Sequence, residues 1–186
     1  MIRIYITGRP GSGKTTLAKR ISHQLNIPCF EMDLIGWENG VGVERPLEVT
    51  VREVHEIAIQ ADWVAEGGHR PWIDELLQSA EQIVWLDLSW NVARWRLLTR
   101  HMRASLAGTN KHRGLLKLYH FMRYAKVFYT STQPGEGTRL TDAKELQPFM
   151  HKIVHCRRPA EVEAFRTSTR LDSSRLRLPR MNVGGF

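Results

Sequence analysis

A chain of 186 residues is sized for one domain with a core of its own, and 42% hydrophobic and 25% charged residues are ordinary for a folded globular protein. No stretch approaches the run of about eighteen apolar residues that a helical membrane span needs, and two cysteines are too few for a disulfide framework. The formal net charge of +8 points to anionic ligands, with nucleotides and nucleic acid both in view.

The chain opens on an apolar run at 2–6 that reads as a strand, with no signal-peptide layout before it. The strand leads into Gly8-Arg9-Pro10-Gly11-Ser12-Gly13-Lys14-Thr15, a complete GxxxxGK[ST] phosphate-binding loop, and a helical pattern follows over 14–25. Gly8, Gly11 and Gly13 allow positive φ and bring backbone N–H groups close to an anion. The start of the helix adds unpaired N–H groups and partial positive charge. Lys14 is expected to reach the β- and γ-phosphates and Thr15 to bind Mg²⁺, with Arg9, Pro10, Ser12 and Thr16 completing the nucleotide-binding stretch.

Further apolar runs at 28–32, 63–66, 82–87 and 152–156 read as strands covered on both faces. They alternate with helical patterns at 47–60, 71–79, 92–104 and 159–166, which predicts an α/β fold around a parallel sheet, with Trp85 and Leu88 in or near the core. Another helix, rich in aromatic and basic residues, is expected at 114–130 and is ended by turn residues at 133–137. Residues 167–186 carry Arg170, Arg175, Arg177 and Arg180 against Asp172 and show no apolar periodicity. They read as a disordered basic tail behind a single domain at 1–166. Cys29 and Cys156 lie far apart without metal-ligand spacing, and are expected to be free, buried thiols in a reducing cytoplasm.

Ligands of open α/β sheets gather at the carboxyl ends of the strands, so the residues that end each run are the next candidates. Glu66 ends the third run, where a carboxylate can hold Mg²⁺ or one of its waters, or polarise the attacking group. Gly67 and Gly68 would let an acceptor approach the backbone, and Arg70 could pair with an anion on it. Asp33 closes the second run, placed to orient or deprotonate an acceptor hydroxyl, to join the Mg²⁺ shell, or to cap a following turn. Trp37 stands among Gly36, Gly40 and Gly42, either to stack on a ring-shaped acceptor or to plug the core. After the fourth run, Arg96, Arg100 and Arg103 share one helical face leading into a small, polar, basic segment. A lid is expected there at about 101–114, with Lys111, His112 and Arg113 as further members, its arginines neutralising charge on a transferring phosphoryl group.

Taken in order, these motifs resemble the adenylate-kinase-like branch of P-loop proteins, the small nucleotide and metabolite kinases, and within it the bacterial group called DNA topology modulation proteins. The resemblance runs from the phosphate loop through Asn26-Ile27-Pro28 with Asp33 and Trp37, then Trp63-Val64-Ala65-Glu66-Gly67-Gly68. It continues through the strand from Ala80 to Asp87, Trp95-Arg96 with Arg100, and a closing helix after Arg157 that ends on Phe165. It implies a three-layer α/β/α P-loop NTPase fold with a five-stranded parallel sheet, a lid after the fourth strand, ATP with Mg²⁺, and an adenine bordered by Arg157, Arg158 and Pro159. Two departures stand out: Glu66 replaces the group's Asp, and 117–140 does not match. The expectation is an ATP-dependent kinase acting on a nucleotide-like or metabolite acceptor near Asp33, Trp37, Gly67 and Arg70. The alternative is a nucleotide-dependent regulatory or nucleic-acid-associated ATPase. In that case Lys117, Arg123 and Lys126, interleaved with Tyr119, Phe121, Tyr124, Phe128 and Tyr129, would track phosphates and stack bases.

Overall fold

The computed structural model describes residues 1–40, 42–108, 114–135 and 137–171. The predicted lid residues Lys111, His112 and Arg113, and the tail beyond Leu171, lie outside the described residues. The strands are β1 (Ile2–Gly8), β2 (Cys29–Glu31), β3 (Asp62–Glu66), β4 (Gln82–Leu86) and β5 (Ile153–Cys156). They pair in parallel in the order β2-β3-β1-β4-β5, the predicted five-stranded sheet. Among the described residues eight α-helices surround it: α1 (Lys14–Leu25), α2 (Met32–Gly36), α3 (Leu47–Ala58), α4 (Asp74–Ser79), α5 (Trp90–Leu106), α6 (Leu115–Thr130), α7 (Arg139–Leu146) and α8 (Pro159–Leu171).

Strand side chains alternate between faces, and both faces are dry here, which is why the runs read as nearly continuous apolar sequence. One face sends Tyr5, Trp63, Ala65, Ile83 and Trp85 against Val54 and Ile57 of α3, Leu76 and Leu77 of α4, and Leu146 of α7. The other sends Ile4, Ile6, Val64, Val84 and Leu86 against Leu17, Ala18 and Ile21 of α1 and Val162 and Phe165 of α8. Trp85 and Leu88 are both in the core. The sheet thus lies between two helical layers. The chain leaves β1 toward β2 and leaves β4 toward β5, so the crevice opens where these directions diverge, at the carboxyl end of β1.

Several boundaries differ from expectation. The second strand stops at Glu31, and Asp33 sits in the first turn of α2, because buried Met32 turns the chain inward beneath Gly67. The short helix α7 falls in a stretch that carried no predicted element. The last helix runs to Leu171, five residues into the predicted tail: Thr169 is buried, and the hydroxyls of Thr167 and Thr169 back-bond to Glu163 and Phe165 carbonyls inside the helix. Cys156 is buried but Cys29 is only half-buried, and both are free.

Candidate active site

The phosphate loop lies directly under α5. Gly11 and Gly13 adopt φ of +81° and +97°, a region that side chains avoid. The space is also taken. A Cβ on Gly11 would stand 2.8 Å from Leu97 Cγ, and one on Gly13 would stand 2.8 Å from a guanidinium nitrogen of Arg96. Within the loop the Ser12 amide donates to the Arg9 carbonyl at 3.1 Å. Arg96 Nη1 donates to the Ser12 carbonyl, and Tyr129 Oη to the Pro10 carbonyl at 2.8 Å.

Pro10 to Leu17 line a cleft of about 940 Å³ together with Asp33, Glu66, Phe121 and three arginines of α5, Arg96, Arg100 and Arg103. The i, i+4, i+7 spacing therefore delivers all three arginines to one cleft wall. The parallel register sets Glu66 opposite Ile6, so its carboxyl emerges beside the loop. Thr15 Oγ1 donates to Glu66 Oε1 at 2.6 Å. Burial raises the Glu66 pKa, against the pull of the Thr15 hydrogen bond and the Lys14 charge. Burial likewise lowers that of Lys14, opposed by Glu66 and Asp33. A hydroxyl and a carboxylate at the entrance to a phosphate loop are the hard oxygen donors that Mg²⁺ takes, usually one or two from protein with the rest from water and phosphate. Among the described residues no group of three or more His, Cys, Asp or Glu side chains could hold a metal by itself.

In the loop after β3, where sequence placed the acceptor, Gly67 N bonds to the Ile6 carbonyl at 3.1 Å, and Tyr5 Oη donates to the Gly68 carbonyl at 3.3 Å. Burial holds the Tyr5 phenol well above its usual pKa, and the charges of Glu66 and Asp33 add to this. The Arg70 guanidinium lies 5.0 Å from the centre of the Trp37 ring, and Trp37 meets Trp72 edge-on at 6.2 Å. Two residues proposed separately from sequence thus form one stack, with Trp37 half-buried. His69 bridges this loop to two helices, reaching Asp74 at 3.3 Å and Glu145 of α7 at 3.0 Å.

Two expected nucleotide contacts sit elsewhere. The Arg9 side chain turns away from the cleft into a buried cluster, paired with Asp87 and lying over the Tyr129 ring at 4.4 Å. Asp87 also accepts from Arg139 Nε at 2.9 Å and meets His155 Nε2 at 3.0 Å, with His155 stacked on Trp85. Arg157 is exposed, its amide bonded to Glu161, and it does not line the cleft; Val162 and Glu163 of α8 do. Asp142 received no role from sequence, Tyr129 only that of a base-stacking aromatic in the alternative reading, and Asp87 only that of a carboxylate at a strand end. Asp87 carried a signal, as a carboxylate ending a buried strand; Tyr129 and Asp142 carried none, because their partners lie far away in the chain.

A parallel 2-3-1-4-5 sheet with a phosphate loop after its central strand and helices on both faces is the P-loop NTPase fold. The family model described as "ATPase family associated with various cellular activities (AAA)" matches residues 4–87, from within β1 to just past β4. Among curated proteins the chain is similar to shikimate kinase of Bacteroides fragilis, 27% identical over 176 residues that cover 81% of this chain and 97% of that protein. It is also similar to shikimate kinase of Bacteroides thetaiotaomicron, 28% identical over 150 residues that cover 72% and 85%. Among solved structures it is similar to a shikimate kinase from Bacteroides thetaiotaomicron, with 18% identity, 93% and 97% coverage and a TM-score of 0.49. A gluconokinase from Sinorhizobium meliloti 1021 matches with 17% identity, 94% and 93% coverage and a TM-score of 0.45. No described helix is long and apolar enough to cross a membrane.

Proposed function

We propose that this protein is an ATP-dependent kinase of the cytoplasm that passes the γ-phosphoryl group to a small-molecule acceptor, with shikimate, the substrate named for its curated relatives, as the first candidate. The observation that carries the reading is one cleft holding the phosphate loop, Lys14, the Thr15–Glu66 pair, Asp33 and the α5 arginines. In this reading the loop amides and Lys14 bind the triphosphate, and Arg96, Arg100 and Arg103 neutralise charge on the transferring group. Thr15 and Glu66 would hold Mg²⁺, which supplies charge neutralisation between phosphate oxygens. Asp33 orients the acceptor hydroxyl and takes its proton, while Gly67, Gly68, Arg70 and Trp37 frame the acceptor. Within the superfamily we place the chain nearest the DNA topology modulation group, on the order of its motifs. The exposed Tyr119 and Tyr124 on α6, beside Lys117, Arg123 and Lys126, favour a second reading as a nucleic-acid-associated ATPase. Phe121 of that helix lines the phosphate cleft, which ties α6 to the first.

The test is ATP turnover against a panel of shikimate, gluconate and nucleoside monophosphates. One acceptor should raise turnover well above the rate without it, and Lys14→Ala should lose at least about a hundredfold while melting like the wild type. Wild-type turnover in Lys14→Ala would overturn the assignment.

A further inference from the structure

The phosphate loop is gripped by its carbonyls from two consecutive helices. Arg96 of α5 takes the Ser12 carbonyl and Tyr129 of α6 takes the Pro10 carbonyl, at 2.8 Å. The C=O and the following N–H of a trans peptide point in opposite directions, so fixing one aims the other. Pro10 has no N–H, and the Ser12 amide is engaged by Arg9, so an anion in the loop draws on Gly11 and Gly13. These are the amides that follow the two gripped carbonyls. Tyr129 itself does not line the cleft, so its hydroxyl holds the Pro10 carbonyl from behind the loop and the Gly11 amide faces back, whereas Arg96 lines the cleft and holds the Ser12 carbonyl from that side.

The geometry points to Tyr129 as a positioning residue that orients the Gly11 amide toward the polyphosphate. This rests on the nucleotide-binding reading of the loop. The Tyr129 hydroxyl is itself held in place: its ring packs against Trp90 at 5.4 Å and under the Arg9 guanidinium at 4.4 Å, and Arg9 is anchored by buried Asp87. Burial pushes the Tyr129 pKa up to about 12, so the phenol remains a donor across the physiological range. The grip also joins α5 and α6, which flank residues 107–114, to the loop that binds the nucleotide. Movement of either helix is therefore felt by the loop amides.

The experiment is calorimetric titration of the full chain with MgADP, alongside NMR of ¹⁵N-glycine-labelled protein. Tyr129→Phe removes the hydroxyl and keeps the ring over which Arg9 lies. It should weaken ADP about five- to tenfold, the scale of one lost hydrogen bond. It should also displace the Gly11 amide resonance while Gly13 stays near its wild-type position. Tyr124→Phe, on the exposed face of the same helix, should bind ADP like the wild type. Arg96→Met should leave Gly11 in place and displace Gly13; if Tyr129→Phe does not fold, Trp90→Leu, which takes away the ring that Tyr129 packs against, carries the test and should displace Gly11. Wild-type ADP affinity in Tyr129→Phe, or weaker binding with Gly11 unmoved, overturns the proposal. A wild-type chain that binds no ADP overturns the nucleotide reading and the grip with it.

Discussion

Asp142 offers a stability measurement whose sign is fixed by its surroundings. The residue is 6% exposed in the first turn of α7, and its Oδ2 has no hydrogen-bond partner among the described residues. Burial raises its pKa to about 6 from an ordinary 3.8; Arg9 opposes the shift and Glu145 adds to it. The folded state therefore holds the proton more tightly than the unfolded chain. Stability is greatest below the unfolded pKa and falls as pH rises through the window from about 4 to about 6. Above it the buried carboxylate costs about 3 kcal/mol, two units at 1.36 kcal/mol each. Asp142→Asn keeps the shape and removes the charge. At pH 7.5 it should stabilise the protein by up to that amount, roughly 6–12 °C in melting temperature for a chain of this size. At pH 4, where the wild-type carboxyl is largely protonated, the gain should disappear. Thermal melts of both proteins across pH 4–8 make the comparison. A gain of equal size at pH 4 and pH 7.5, or none at pH 7.5, would refute the argument that charge burial is what the site costs.

Asp87 should behave in the opposite sense. Its own burial works to raise its pKa, but the His155 and Arg139 hydrogen bonds and the Arg9 charge outweigh this and hold it low. Its contribution is thus present above the unfolded pKa near 4 and is lost as pH falls through the lower folded value. Asp87→Asn leaves Arg9, whose side chain is 3% exposed, unpaired, which should cost about 3 kcal/mol by denaturant unfolding at pH 7; half-exposed Arg139 adds little. The gap to wild type should narrow in acid, and equal stability at pH 7 would show the pair to be dispensable. Gly13→Ala tests the close fit of α5 on the loop. A φ of +97° strains the new residue by about 1–2 kcal/mol, and its methyl must displace Arg96, so melting temperature and ADP binding should both fall. A variant that binds ADP normally would contradict that packing.

The donor half of the site was legible because it is local. A strand, eight consecutive residues and a helix carry the whole signal, and the predicted helix 14–25 coincides with α1. The spacing of Arg96, Arg100 and Arg103 was equally readable, since helical periodicity alone puts them on one face. What stayed hidden depends on partners distant in the chain. Arg9 occupies a variable position inside the motif, yet a buried guanidinium goes where a counter-charge waits, and Asp87 lies 78 residues away. Tyr129 looked like one aromatic among several on α6, but its hydroxyl reaches a carbonyl 119 residues earlier. Helix α7 escaped notice because it is short and polar, with only Asp142 and Leu146 turned inward, and no period can be read from two residues.

The same division separates the two halves of the chemistry. A phosphate is bound largely by backbone amides, which every residue but proline supplies, so the loop needs only glycines, one lysine and one hydroxyl to declare itself. An acceptor must be told apart from other small molecules by side chains. In the proposed site those would come from α2 and from the loop after β3, which His69 ties to Glu145 of α7. No contiguous stretch of sequence holds that set. Tyr129, Arg9 and Asp87 connect α7 to the phosphate loop, because Asp87 takes Arg139 at the start of α7 with one oxygen and anchors Arg9 beneath the loop with the other.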